Sequence, residues 1–327
     1  MPDPRPETAA PQSNTPRWHS GTAGLAALLA LATALSGPAA ADKPETPPAA
    51  TVACSPATLA IGSPTRTPLL DWSENLGFDA SGGLWVARVF GNAVERYDRD
   101  GNLTAKVAVT SPGAIRLGPD GLMYVTFGNS PLGAGQGGVL QFDPAAAEPN
   151  PEVFVSGLGQ ANGAAFDGDG NLYVADTSAD TVERIRRDGT VDTAWTERAG
   201  HALAAQGLGA DGIVAVGDTL YVTLLESPSA RVLAVPIADP ARTSVAVELA
   251  AAPLTPPLLP DDLTVGADGL LYIATGSGQL VRADPLTHTS CTMASSEPLT
   301  SVAVDPHDDH SLIVGTENGD VLRARLP

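Results

Sequence analysis

Four residues in this chain have the side-chain chemistry of a small oxygen-lined site: Glu74, Asn162, Asp211 and Asp261. Each opens a short segment of one recurring kind, a polar residue followed by alternating apolar residues and a tight turn, as in ANGAAFDGDGNLYVAD. Carboxylates and a carboxamide offer only hard oxygen donors, which suit calcium, or alternatively magnesium or manganese. Two carboxylates ~5 Å apart repel by roughly 3 kcal/mol at an effective dielectric of 20. Three held together must therefore take up protons, with raised pKa values, or enclose a cation. The competing reading makes the same residues strand-end caps, solvated in a wet channel. Both readings depend on what brings them together.

The elements that would do so repeat six times: ENLGFDASGGLWVAR, GAIRLGPDGLMYVTF, ANGAAFDGDGNLYVAD, ADGIVAVGDTLYVTL, DDLTVGADGLLYIAT and TSVAVDPHDDHSLIVGT. Alternation of period two marks the strands, and Asp-Gly or Gly-Asp pairs mark hairpins. The equivalent large apolar residues are Trp85, Tyr124, Tyr173, Tyr221, Tyr272 and Ile313. They stand roughly 40 to 50 residues apart, the size of a four-stranded propeller blade. A third strand follows each pair, and a fourth follows most of them. The last copy ends after its third strand, so TVACSPATLAI near the start of the domain is expected to supply the outer strand and close the ring. The fold expected is all-β, a six-bladed β-propeller of four-stranded antiparallel blades. Its inner strands start at Glu74, Gly113, Asn162, Asp211, Asp261 and Thr300, which symmetry places around one channel mouth.

Composition bounds the rest. The 327 residues carry a formal net charge of −19 and are 43% hydrophobic. That acidity argues against nucleic acid or an anionic membrane as partner. Residues 1–41 read as a signal peptide, with an apolar run from Ala23 to Leu35 and cleavage after Ala41. Residues 42–50 read as a flexible Pro- and Ala-rich lead-in, and 51–327 as the propeller. Export to the periplasm or the medium is thus expected. In an exported chain the two cysteines, Cys54 and Cys291, favour a disulfide, two buried thiols being the alternative.

The segments ENLGFD, ANG, ADG, PDDLTV and TSVAV resemble the strand starts of the gluconolactonase family, also called the senescence marker protein or regucalcin family, across roughly Leu69 to Leu326. The resemblance implies metal ligands at Glu74, Asp211 and Asp261, and substrate contact by Asn162. It implies a divalent-metal-dependent hydrolase of a lactone or related ester, with Asp261 as general base for water. The chain departs from the family where Asn75 and Leu76 replace Gly-Pro, Asp211 replaces Asn, and Gln160 replaces a substrate-gripping Arg. A non-catalytic propeller that binds a protein, peptide or glycan is the alternative.

Other candidates are weaker. His201, in the long connection entering the fourth blade, is placed to touch substrate or to act as an ordinary solvated loop residue. The loop FGNSPLGAGQGG is placed to act as a lid over the mouth or as a plain insertion. HDDH, from His307 to His310, falls in a first-to-second-strand turn on the opposite face. DRDGN and DGDGN lack the later ligands of a calcium loop and read as hairpin turns. No G-x-S-x-G elbow occurs.

Overall fold

A computed structural model describes residues 52–63, 67–68, 70–130, 136–227, 229–249 and 258–327. The segments expected to be a signal peptide and a lead-in lie outside the described residues, as does the centre of the FGNSPLGAGQGG loop. Among the described residues the chain forms six antiparallel sheets, a six-bladed propeller. The inner strands are Ser73–Phe78, Ile115–Leu117, Ala161–Phe166, Ala210–Val216, Pro260–Val265 and Leu299–Asp305. Five sheets have four strands; the third blade has three. A fourth strand thus follows in most blades, as expected. Helix α1 (Thr193–Ala204) takes the place of the missing strand, burying Trp195, Ala199 and Leu203 in the core shared with blade 4. Asp192 caps the helix by accepting from the Trp195 N–H, and the Trp195 indole donates to the Ile237 carbonyl at 2.7 Å.

The ring closes as the repeat predicts. Strand Thr58–Ser63 pairs antiparallel with Val321–Arg325, completing the sixth blade. It begins four residues beyond Cys54, because Pro56 has no N–H to give a ladder. The segment before it instead runs beside blade 5, where Val52 N and Ala57 N donate to the carbonyls of Ser290 and Met293. There Cys54 and Cys291 are joined by a disulfide, with Cα atoms 5.9 Å apart.

A repeated clasp holds the turns of four blades to their second strands. The Trp85 indole donates to Asp79, and the hydroxyls of Tyr124, Tyr173 and Tyr272 donate to Asp120, Asp167 and Asp268, at 2.8 to 2.9 Å. Each ring also fills the seam toward the following blade, as Trp85 does against Ile115 and Met123. One residue thus ties a local turn to a long-range contact. In the sixth blade the position holds Ile313, which has no donor; Arg323 binds the turn carboxylate of Asp305 in its place, at 2.5 Å.

Candidate functional site

The polar residues at the inner-strand starts are brought close by the glycines that follow them. A Cβ on Gly163 would stand 2.2 Å from the Asp211 carbonyl oxygen, and one on Gly212 would stand 2.5 Å from that of Asp261. Only glycine leaves room for adjacent blades to approach so tightly. Threonine hydroxyls then stitch one blade to the next: Thr126 donates to the Asn162 carbonyl at 2.8 Å and Thr223 to the Asp261 carbonyl at 2.5 Å. Thr177 does the same for Ala210 at 2.9 Å, and Thr300 for Ser73.

Around this frame Glu74 and Asp211 are buried and Asp261 is half-buried. Burial raises the Glu74 carboxyl to about 7, with the charges of Asp262 and Glu317 adding to it, against the opposing hydrogen bonds from Trp72 and Asn129. Burial likewise holds Asp211 well above the ordinary range, helped by the charges of Glu74 and Asp262. Asp261 is raised well above that range too, by burial and then by Asp211, Glu74, Asp262 and Glu317. The carboxyls thus form one electrostatic cluster.

Four of its contributors, Trp72, Asn129, Asp262 and Glu317, were not legible as site residues, whereas Gln160 was expected at a substrate-contact position. Asn129 Nδ2 donates to Glu74 Oε1 at 2.5 Å, the Trp72 indole donates to Oε2 at 2.5 Å, and Gln160 Nε2 donates to Asn129 Oδ1 at 3.0 Å. Gln160 therefore reaches Glu74 through Asn129. Asp262 is buried next to Asp261 and accepts from Asn75 at 3.0 Å and from Arg116 at 3.4 Å. Arg116 also donates to Asn75 at 2.7 Å, so the three form a knot of their own. Asn129 and Glu317 follow the second strands of their blades, and Trp72 precedes an inner strand. Their signal in the sequence is only that such positions face the mouth side.

Below the knot, a cavity of about 360 Å³ runs between the inner strands, lined by Leu76, Arg116, Phe166, Ile213, Leu263 and Val302 among others. Its walls mix these apolar side chains with Arg116, Thr264 and strand backbone. Apolar groups also flank the strand starts on the mouth side. Phe90, 59% exposed, packs edge-on to Trp72 at 5.5 Å between ring centroids, and Leu208 is 49% exposed. His201 lies elsewhere: it is exposed in the last turn of α1, which packs against strand Thr181–Ile185 and the 3-10 turn Pro240–Arg242. The structure does not bring it to the carboxyls.

Among the described residues no three His, Cys, Asp or Glu side chains converge tightly enough to hold a metal ion. In kind and charge, however, the donors fit a hard divalent cation: every one is oxygen, and Glu74 raises the proton affinity of Asp211 and Asp261. Closing around an ion calls for side-chain rotation, which the Glu74 bonds to Trp72 and Asn129 resist.

No family model and no curated protein matches the chain by sequence. Solved structures do match in fold. The gluconolactonase of Xanthomonas campestris aligns over 86% of this chain and 97% of its own, with a TM-score of 0.59 at 15% identity. A putative gluconolactonase aligns over 82% and 92%, with a TM-score of 0.60 at 14% identity. The PQQ-bound aldose sugar dehydrogenase of Streptomyces coelicolor aligns over 83% and 99%, at 0.58 and 15%. The chain thus has the gluconolactonase type of propeller fold, which other chemistries share.

Proposed function

We propose that the protein is an exported, divalent-metal-dependent hydrolase of a lactone or related ester with an apolar portion. The observation that carries this reading is the cluster of Glu74, Asp211 and Asp261 at the channel mouth, where Glu74 raises the proton affinity of both aspartates and Asp211 that of Asp261. The disulfide supports export, since such bonds persist in oxidising compartments.

Glu74, Asp211 and Asp261 would hold the cation, which when bound polarises the ester carbonyl. Asp261 accepts the proton of the attacking water as general base. Trp72 and Asn129 fix the Glu74 carboxylate between two donors. The carboxamides of Asn162 and Gln160 orient the substrate's oxygens. Gln160 is neutral and already donates to Asn129, so it gives an anionic or polyhydroxy substrate no cation to grip. Phe90 and Leu208 then favour an apolar ring or acyl chain over a sugar.

The test is hydrolysis of a panel of alkyl-substituted and sugar lactones, with calcium or manganese and with chelator. Metal-dependent turnover that Asp261→Asn lowers at least 100-fold is expected. Equal turnover by wild type and Asp261→Asn removes Asp261 from the mechanism, and no turnover of any lactone or ester overturns the reading.

A further inference from the structure

The seam between the sixth and first blades differs from the other five. At the position where five blades carry Trp or Tyr, the sixth carries Ile313. Its core cluster is correspondingly small, with Leu76, Val86, Ile313 and Val321 as the fully buried members. A cavity of about 350 Å³ opens there, on the face opposite the acidic mouth. At two seams where a tyrosine occupies the equivalent place the hollows are smaller, about 170 Å³ between blades 5 and 6 and about 290 Å³ between blades 3 and 4.

The floor of the larger cavity is apolar, built by Phe78, Leu84, Ile313 and Leu322. Its polar rim is selective. The carboxylates of Asp305 and Asp308 are engaged by Arg323 at 2.5 Å and Arg325 at 2.9 Å, and Asp98 accepts from its own turn at Asp100 N and Asn102 N. Arg99 is different. Among the described residues it makes no ion pair, and its Nη2 lies 3.0 and 3.1 Å from the two ring nitrogens of His307. The imidazole does not pair the guanidinium's charge, although the carboxylates of Asp98 and Asp100 share the rim with it. The turns beneath are set against each other: a Cβ on Gly82, whose φ is +80°, would stand 2.2 Å from His307 Nε2, so the first blade's turn keeps His307 in place only as glycine.

We propose that this seam is a second binding site, for a small molecule with a flat aromatic body and one carboxylate. The ring takes the space that Trp85 or a tyrosine fills elsewhere, and the carboxylate meets Arg99 beside His307. Burial of a ring in a preformed apolar hollow supplies affinity, and a bidentate guanidinium contact supplies orientation. The site stands apart from the mouth, so it holds whether or not the lactonase reading does.

Calorimetric titration of the full chain with 2-naphthylacetate tests it, with neutral 2-naphthylethanol as comparison. Saturable one-to-one binding of the acid is expected. Ile313→Trp, which restores the ring and its donor toward Asp305, should weaken that binding at least tenfold while the melting temperature holds or rises. Arg99→Gln should weaken the acid about tenfold and leave the alcohol unchanged. Absence of saturable binding to the wild type overturns the proposal, as does unchanged affinity in Ile313→Trp. Should Ile313→Trp fail to fold, Arg99→Gln, at an exposed position, decides alone: unchanged affinity for the acid overturns it.

Discussion

At the scale of single residues the account turns on charge. Carboxyls whose pKa is raised in the folded state bind protons more tightly there than in the unfolded chain. Stability is then full below the unfolded value and is lost as pH rises through the folded one. For Glu74 that window runs from 4.5 to about 7. The metal-free protein should therefore melt at a lower temperature at pH 8 than at pH 5, and Glu74→Gln should flatten the profile; melting curves across that range check both. A profile that rises from pH 5 to 8 contradicts the cluster. Glu74, Asp211 and Asp261 could be read from the sequence because each begins a recognisable repeat. Asp262 escaped because it is the second polar residue of its strand, where the other copies have Asn75, Ala114, Gly163, Gly212 and Ser301, which share no chemistry. Asn129 and Glu317 escaped because loop residues carry no periodicity that says which way they point.

At the scale of elements, tight blade contact depends on small residues, and the turn clasp depends on single donors. Gly163→Ala puts a methyl against the Asp211 carbonyl. Overpacking against backbone costs about 1–3 kcal/mol, and more where nothing can yield. Chemical denaturation should register at least that loss, together with weakened function, because Asp211 is displaced. Tyr173→Phe removes one buried hydroxyl from Asp167, and a loss of about 1 kcal/mol is expected from the same measurement. The strands were legible from alternation and hairpin signals. Helix α1 was not, since its buried face is only Trp195, Ala199 and Leu203, and TERAGHALAAQGLG read as a connection. A single amphipathic stretch in an otherwise all-β repeat is easily taken for a loop, and packing against blade 4 decided otherwise.

At the scale of the whole molecule, closure depends on the N-terminal strand and the disulfide. The bridge spans 237 residues, and the chain-entropy account gives such a loop about 5 kcal/mol, with about 2–5 kcal/mol typical of measured losses. Reduction, or Cys54→Ser with Cys291→Ser, should lower the melting temperature by several degrees without changing the circular dichroism at room temperature. An unchanged melting temperature would mean that the closing strand holds the ring alone. The ring in turn brings residues from blades far apart in the chain to one axis, and the functional reading rests on that convergence. Its most direct measurement is the melting temperature at pH 8, in chelator and then in excess calcium or manganese, for the wild type and Asp211→Asn. An ion at 100 times its Kd stabilises by about 2.7 kcal/mol, or about 5–10 °C for a domain of this size. The account predicts such a rise in the wild type and a smaller one in Asp211→Asn. No rise with either ion contradicts it.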